Sequence, residues 1–357
     1  MAFLNRRILG DVALVLGSIV FTLLVFEFVL RSFSPQVFDI HPRWMYTSDP
    51  DVGYVLTPNF EGALQREEFL SSFSTNSLGL RGNEIGAKGE RHRILVLGDS
   101  QAFGFGVEDD ETYAFHLEEC LNRQASETYE VLNGGVPGYG TVDQLNFLRA
   151  HGAALQPDLV ILNFLNQNDL FENRHPAVGW AYVPDGWLTY REDSYDPLAL
   201  RPFWRRAEAW LKKNFHSAKF LSERVGSLLL HSGLFPKLEL AVWGEEFTAE
   251  DERIFEQAVL DIRDHAKSLR AEFMFVYTTN QGPVVSRKER SLPSESLVAR
   301  LMATHGIQWV NMLPAMRISH QRNELYYPLD GHWNPSGHRF VASHLCRVLT
   351  GTASRVD

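Results

Sequence analysis

The chain has 357 residues and a formal net charge of −10, with 45% hydrophobic and 22% charged residues. This composition is that of an ordinary globular protein and argues against a disordered, collagen-like or polytopic membrane protein. The negative charge, without a basic stripe, makes nucleic acid a poor partner, and two cysteines, Cys120 and Cys346, are too few for a disulfide framework or a cysteine-rich zinc module.

The amino-terminal segment predicts a transmembrane helix over residues 8–31. No charged residue occurs within 12–26. A helix of about 23 residues is ~34 Å long, enough to cross a hydrocarbon core of ~30 Å when Asp11 stays near the headgroups. Glu27 precedes Arg31 by one helical turn, and such an ion pair lowers the cost of placing a carboxylate near the membrane interface.

The positive charges of this segment precede the apolar stretch, at Arg6 and Arg7, whereas acidic residues predominate after it. The positive-inside tendency therefore predicts a cytoplasmic tail at 1–7 and a globular part outside the cytoplasm, which is the periplasm in a Gram-negative bacterium. A cleaved signal peptide is the alternative, although no Ala-x-Ala-like cleavage site follows and Ser34 precedes a proline. A buried helix of a soluble protein is a third interpretation.

The rest of the chain divides by composition. Residues 32–90, rich in Pro, Gly, Ser and Asn, predict a stalk followed by a small strand-and-turn cap. Residues 91–350 are the predicted main domain, interrupted by an insertion at 170–248, and residues 351–357 are a tail. The insertion contains tryptophans that are either core and interface anchors or a platform for stacking sugars: Trp180, Trp187, Trp204, Trp210 and Trp243.

The main domain alternates β-strands with helices. Residues 94–97, Ile-Leu-Val-Leu, are typical of a strand buried on both faces of a parallel sheet. Five strands separated by helices indicate an α/β fold with a doubly wound five-stranded parallel sheet, which carries the helical insertion and follows the transmembrane helix. Cys120 and Cys346 fall on the first and last helices of this domain, where two buried thiols are favoured over a disulfide. The predicted strands are 94–97, 129–133, 159–162, 273–277 and 307–310, and the helices are about 111–124, 141–153, 249–269, 294–304 and 335–349.

The residues that follow the strands carry the candidate chemistry, because an open parallel sheet binds ligands beyond the carboxyl ends of its strands. Ser100 follows the first strand, and the loop before the last helix contains Asp330 and His332. A serine hydroxyl is a weak nucleophile that needs a base, and a histidine oriented by a carboxylate supplies one. We therefore predict Ser100 as the nucleophile, His332 as the base and Asp330 as the residue that orients the imidazole.

Acyl transfer also creates an oxyanion, which needs hydrogen-bond donors. The predicted donors are the backbone amides of Ser100 and Gly138 and the side-chain amide of Asn168, which follow the first three strands. A glycine at position 138 allows the close backbone approach that a Cβ would hinder. This chemistry requires no cofactor and no metal, and none is predicted.

Each of these residues also has a structural interpretation. The tripeptide 98–100 alone occurs as an ordinary strand-to-helix turn, Gly138 as a turn glycine and Asn168 as a helix cap. The Asp-His pair of the last loop, together with His338, is a possible start of a metal site, but no further ligand cluster supports it. The ordered combination of motifs favours the catalytic interpretation.

That ordered combination resembles the SGNH hydrolases, also called GDSL esterases. Their first block is Gly-Asp-Ser after the first strand, their second a glycine behind an asparagine, their third Asn-Asp, and their last an Asp and a His. The resemblance covers residues 91–170 and 271–350 and implies a flavodoxin-like fold and a serine esterase with the triad and oxyanion hole named above. The matching residues are Gly98, Asp99 and Ser100, then Asn133 and Gly138, then Asn168 and Asp169, then Asp330 and His332.

The last block departs from the usual spacing of the family. The common form is Asp-x-x-His, whereas one residue separates Asp330 from His332. The Asp-x-His-Trp form resembles membrane-attached members involved in exopolysaccharide acylation, including alginate acetylation proteins. The run 76–82 also resembles anchored members, and we assign it no catalytic role.

This resemblance implies a hydrolase of acyl or acetyl esters on a carbohydrate or an envelope polymer. An O-acyltransferase for an exopolysaccharide is the alternative, because water and a sugar hydroxyl can resolve the same acyl-enzyme. An alternative of another class is a non-catalytic carbohydrate-binding or scaffold component of an envelope polysaccharide assembly. The expected partners are therefore an acylated carbohydrate or small ester, the membrane, and such an assembly.

Overall fold

The computed structural model describes residues 2–34, 41–124, 127–166, 169–170, 172–190, 210–211, 214–231, 247–286, 292–320 and 324–351, without the side chains of residues 2–9, 223 and 225–231. The chain forms two compact units, which we describe separately. One consists of Met1–Asp39 and Asp196–Ser232, and the other of Ile40–Tyr195 and Gly233–Asp357.

Strands and helices are numbered here in chain order. The strands are β1 Tyr46–Asp49, β2 Gly53–Leu56, β3 Glu61–Gln65, β4 Leu70–Ser74, β5 His92–Gly98, β6 Tyr129–Gly135, β7 Leu159–Leu165, β8 Ala181–Tyr182, β9 Thr189–Tyr190, β10 Glu272–Thr278 and β11 Trp309–Asn311. The helices are α1 Ala2–Phe33, α2 Ser100–Phe103, α3 Tyr113–Gln124, α4 Thr141–Leu155, α5 Ala177–Trp180, α6 His216–His231, α7 Ala249–Ser268, α8 Gln281–Val285, α9 Pro293–His305, α10 Leu313–His320 and α11 Pro335–Leu349.

The centre of the larger unit is a five-stranded sheet in the order β6-β5-β7-β10-β11. All four neighbouring pairs are parallel. Numbered within the sheet, this order is 2-1-3-4-5, the doubly wound order in which the connections reverse direction beside the first strand. The predicted fold class is therefore confirmed, and each of the five predicted strands overlaps an observed strand.

The strands of the sheet are apolar because helices cover them. All seven residues of β7 are buried, and residues 94–97 of β5 have no exposed surface. Helix α3 packs against α11, and α4 packs against α7. Two of these helices begin where a side chain satisfies a free amide: Thr248 caps α7 through the Asp251 amide, and Asn334 caps α11 through the Gly337 amide.

Helices α3 and α11 are joined covalently. Cys120 and Cys346 form a disulfide across 226 residues of sequence. The expectation of two buried thiols was therefore wrong. The sequence places both cysteines on helices but does not fix the distance between them, and the packing of the first helix on the last brings the two Cα atoms to 6.2 Å, within the range that a disulfide requires.

Two antiparallel hairpins precede the sheet in the chain. Strand β1 pairs with β2, and β3 pairs with β4. The run 76–82 follows the second hairpin and carries Arg81, which is buried and reaches the main domain. There it donates to the carbonyls of Phe103, Gly104 and Val107.

The described part of the predicted insertion contains both strands and helices. Strands β8 and β9 form a short antiparallel hairpin. Trp180 is half-buried against His175, and Trp187 is exposed on the turn of the hairpin. Trp204 and Trp243 lie outside the described residues.

The smaller unit contains α1 and α6. Within the described residues, the stretch Gly10–Phe33 is the one helix long and apolar enough to cross a membrane, with a mean hydropathy of 2.5. Such a helix near an amino terminus acts as an anchor or as a signal sequence. Arg31 pairs with Glu27 at 2.7 Å, the i,i+4 pair expected from the sequence, and Glu27 also accepts hydrogen bonds from the first amides of α6, those of His216 and Ser217.

Candidate active site

Ser100 begins α2 immediately after the first strand of the sheet. Asp99 caps this short helix by accepting a hydrogen bond from the Gln101 amide at 2.9 Å. The helix ends at Gly104, which adopts a left-handed conformation with φ +93°. A Cβ at Gly98 would lie 2.5 Å from the Cβ of Ala102, so this position needs a glycine for α2 to fold back beside β5.

The three side chains predicted to form a triad lie in one hydrogen-bonded row. The Nε2 atom of His332 is 2.8 Å from the Oγ atom of Ser100. The Nδ1 atom of His332 is 2.5 Å from the Oδ1 atom of Asp330. Because an ionised carboxylate can only accept, Nδ1 carries the hydrogen, and the lone pair of Nε2 faces the serine hydroxyl.

The carboxyl group of Asp330 is buried, yet it stays ionised. Its side chain is 5% exposed. Burial alone raises the pKa of Asp330, but the charge and hydrogen bond of His332 and the nearby charge of Arg66 outweigh burial and hold the pKa below its ordinary value. Asp330 is therefore a carboxylate at neutral pH, as orientation of a neutral imidazole requires.

Two neighbours hold the His332 ring in place. The ring of Phe105 lies against the imidazole with a centroid distance of 4.7 Å. The buried side chain of Gln101 accepts a hydrogen bond from the Trp333 amide at 3.0 Å. The residue after Ser100 thus binds the residue after His332. We did not single out Gln101 from the sequence, although its position beside Ser100 is a local signal.

Of the predicted oxyanion donors, Gly138 lies among the residues that the structure describes and Asn168 does not. Gly138 lies in a left-handed turn with φ +86°, and its chain neighbour Pro137 accepts a hydrogen bond from the Tyr54 hydroxyl at 2.9 Å. A Cβ on Gly138 would lie 2.8 Å from that hydroxyl and 3.2 Å from the Tyr190 hydroxyl. Asn168 lies outside the described residues, so the structure says nothing of its amide.

The other residues of the family blocks are part of the interior. Asn133 accepts a hydrogen bond from the Gly135 amide and donates to the Phe103 carbonyl. Asp169 is fully buried and accepts from the Leu165 amide at 2.9 Å. Burial, together with the negative charge of Asp99, raises the pKa of Asp169 well above its ordinary value.

The alternative of a metal site finds no support in this geometry. Among the residues that the structure describes, no group of three or more His, Cys, Asp and Glu side chains is arranged to hold a metal ion. His338 is buried, and its Nδ1 atom accepts a hydrogen bond from the Tyr113 amide. That nitrogen is therefore already occupied by the protein.

Several solved structures are similar to this chain at low sequence identity. A two-domain esterase active on acetylated mannans has a TM-score of 0.43 and 16% identity, over 75% of this chain and 52% of that chain. The chain thus spans about half the length of that esterase. The lipase/acylhydrolase from Enterococcus faecalis has a TM-score of 0.41 and 13% identity, over 74% of this chain and 98% of that chain. An acetylxylan esterase from Geobacillus stearothermophilus has a TM-score of 0.39 and 14% identity, over 74% of this chain and 94% of that chain.

The sequence matches a protein family and not an individual curated protein. No curated protein matches it significantly. Residues 96–340 match the GDSL-like Lipase/Acylhydrolase family. This match begins within β5 and ends within α11, so it includes the end of β5, the other four strands of the central sheet and both loops that carry Ser100 and His332. Because it covers more than half of the chain, the protein belongs to the GDSL-like lipase/acylhydrolase family and is a serine hydrolase of esters.

Proposed function

We propose that the protein hydrolyses acyl esters through a triad of Ser100, His332 and Asp330. His332 takes the proton of Ser100 as Oγ bonds to the acyl carbon, and it then passes that proton to the departing alcohol. Water attacks the acyl-enzyme in the second half, and His332 returns a proton to Oγ. The observation that carries this proposal is the continuous hydrogen-bonded row from Oγ through the imidazole to the Asp330 carboxylate.

The oxyanion hole is proposed to consist of the amides of Ser100 and Gly138 and the side chain of Asn168. Each such donor contributes roughly 10²–10³-fold to the turnover rate in comparable enzymes. The left-handed turn at Gly138 supports its part, because a Cβ there has no room. The Tyr54 hydroxyl, bound to the Pro137 carbonyl, fixes the peptide that Gly138 contributes.

The proposed substrate is an acyl or acetyl ester of a carbohydrate or an envelope polymer. The Asp-x-His-Trp form of the last block, which resembles exopolysaccharide acylation proteins, supports this class. The aromatic side chains of Trp187 and Tyr190 are also exposed on the hairpin that brings a hydroxyl next to Gly138. An O-acyltransferase that delivers the acyl group to a sugar hydroxyl is the second proposal, since both reactions share one acyl-enzyme.

A fluorophosphonate probe tests the nucleophile. The purified full-length protein, Ser100→Ala and His332→Ala are treated with the probe, and the adduct is located by intact and peptide mass. We expect one adduct on wild type at Ser100, none on Ser100→Ala, and labelling slower by about 10²–10⁴-fold on His332→Ala. Full labelling of Ser100→Ala refutes the nucleophile, and unlabelled wild type favours a non-catalytic binding or scaffold component.

Acyl release from p-nitrophenyl acetate then separates hydrolase from transferase. A hydrolase releases acetate and p-nitrophenol in equal amounts, whatever oligosaccharide is added. A transferase produces an acetylated oligosaccharide, detected by mass, at the expense of acetate. Water-only turnover in the presence of several acceptors excludes the transferase for those acceptors.

We also propose that α1 anchors the protein and that the catalytic domain lies outside the cytoplasm. The apolar stretch Gly10–Phe33 supports the anchor. The disulfide between Cys120 and Cys346 supports an oxidising compartment, since disulfides rarely persist in the cytosol. The proposed layout keeps the predicted boundaries, with the stalk and cap at 32–90 and the hydrolase domain at 91–350. Intact mass of the membrane fraction tests the anchor, because cleavage removes some thirty residues.

A further inference from the structure

The turn between β3 and β4 reaches the loop that carries the proposed triad acid. The Nε atom of Arg66 lies 3.3 Å from the Oδ2 atom of Asp330. The Oε2 atom of Glu68 accepts hydrogen bonds from the amides of Leu329 at 2.8 Å and Asp330 at 2.7 Å. Two side chains of one short turn therefore hold the side chain and the backbone of the same residue, more than 260 positions later.

The two oxygens of Asp330 have different partners. Oδ1 contacts the His332 ring and also accepts a hydrogen bond from the His332 backbone amide at 3.3 Å, whereas Oδ2 faces the Arg66 guanidinium in an ion pair without a hydrogen bond. A carboxylate with one partner can rotate about its terminal torsion, which is soft. Partners on both oxygens restrict that rotation, so Arg66 keeps Oδ1 in the plane where the imidazole binds it.

The aromatic side chain of the same turn supports the other face of the site. Phe69 packs against Phe105 and Tyr327 with centroid distances of 5.8 and 4.9 Å. Phe105 in turn lies against the His332 ring, and the Tyr327 hydroxyl donates to the Gly106 carbonyl at 2.7 Å. The turn thus contacts the structures on both sides of the imidazole.

Arg66 also contributes to the electrostatic potential at His332. The Asp330 carboxylate is negative and the Arg66 guanidinium is positive, so their charges act on the imidazole with opposite sign. His41 and His338 also interact electrostatically with His332. Burial, followed by the charges of Arg66 and His332, lowers the pKa of His41 to about 4, and burial lowers the pKa of His338 well below its ordinary value. Both histidines are therefore neutral near pH 7, and the charged side chains that contact the Asp330 loop from this turn are Arg66 and Glu68.

We propose that Arg66 is a positioning residue of the esterase, which orients the Asp330 carboxylate, while Glu68 holds the Asp330 backbone. This inference rests on the proposed triad. It makes the hairpin of β3 and β4 a required part of the active site, although this hairpin precedes the region that matches the family. It also explains how a loop with the shortened Asp-x-His spacing is held in a productive conformation.

The test is the pH dependence of p-nitrophenyl acetate hydrolysis by the full-length protein in detergent, for wild type, Arg66→Gln, Arg66→Lys and Glu68→Gln. Glu67→Gln is the matched control, because Glu67 is the exposed neighbour on the same turn. We expect Arg66→Gln to lower kcat by about 10–100-fold with little change in KM, and to move the acidic limb of the rate profile upward by about 0.5–1 pH unit. Arg66→Lys keeps the charge and should leave the limb in place while losing part of the rate.

The outcomes separate this inference from the proposed function. If wild type neither turns over nor reacts with a fluorophosphonate, the proposed triad fails. If wild type is active and Arg66→Gln has the wild-type kcat and an unmoved limb, the triad stands and the role of Arg66 is refuted. Glu68→Gln replaces the charged acceptor of the two amides by a weaker, neutral amide oxygen, so it should lower kcat without raising the limb. Equal effects of Glu67→Gln and Glu68→Gln refute the part of Glu68. Thermal midpoints identify a variant that does not fold. If Arg66→Gln does not fold, Arg66→Lys decides: an acidic limb of Arg66→Lys that moves upward by the about 0.5–1 pH unit expected for loss of the charge contradicts the proposal.

Discussion

His332 and Asp330 are separated by one residue, yet the two side chains meet at 2.5 Å while the imidazole also reaches Ser100. Gly331 between them adopts φ +83°, a left-handed conformation that few other residues tolerate. This turn brings both side chains to the same side of the loop. The spacing Asp-x-His is therefore compatible with a triad. The common form, Asp-x-x-His, has one more residue between the two side chains, and here the left-handed turn at Gly331 brings them together without it.

The role of Asp330 predicts a paired effect on rate and on acid stability. Asp330→Asn should lower kcat by about 10²–10⁴-fold, because the amide no longer selects the tautomer with the hydrogen on Nδ1. The folded pKa of Asp330 lies below its ordinary value, so ionisation stabilises the fold above pH ~4 and this contribution is lost as the pH falls through the folded pKa. Thermal midpoints between pH 2 and 6 should therefore fall less steeply for the variant than for wild type. An identical slope would contradict the assignment.

The turn at Gly138 predicts a selective loss of catalysis. Gly138→Ala places a Cβ 2.8 Å from the Tyr54 hydroxyl, so the peptide must move and the oxyanion loses a donor. We expect kcat on p-nitrophenyl acetate to fall by about 10²–10³-fold. Gly179→Ala is the control, because Gly179 has a similar φ of +83° and no described atom lies within 4 Å of its Cβ position. If both variants lose the same activity, backbone strain and not the oxyanion hole explains the effect.

The disulfide predicts a stability that depends on redox conditions. Cys346→Ala and Cys120→Ser should each lower the free energy of unfolding by about 2–5 kcal/mol, and reductant should lower the thermal midpoint of wild type to a similar value. Thiol titration of denatured, unreduced wild type should find no reactive thiol. Two reactive thiols before reduction would show that the protein carries free cysteines.

Arg81 predicts a link between the run 76–82 and the nucleophile. Its guanidinium binds three carbonyls around the end of α2 and pairs with Asp109 at 2.9 Å. Arg81→Lys keeps a charge but loses the planar fork, and we expect a loss of about 1–3 kcal/mol in urea denaturation, as when buried carbonyls lose their donors. Arg123→Lys is the control, since Arg123 is 70% exposed and its surface pair contributes little. Equal stability of the two variants would contradict the role of Arg81.

Local patterns in the sequence were sufficient to predict the α/β class, the five strands and the loops with Ser100, Asp330 and His332. Short continuous apolar runs bounded by turn signals form buried strands, and in a parallel sheet the residues after the strands meet at one edge. The same reasoning wrongly favoured two thiols over a disulfide at Cys120 and Cys346, because the sequence around each cysteine does not specify the distance between the two helices.

The sequence by itself determined which elements form and which residues could carry the chemistry, because those properties follow from side-chain type and from spacing over a few residues. Only the tertiary structure decided that Gln101, Arg66 and Glu68 serve the loop of His332, since these contacts join segments more than 200 positions apart. Such contacts depend on how the hairpin and the sheet pack together, and no local pattern marks an arginine or a glutamate in a turn as the partner of a distant aspartate.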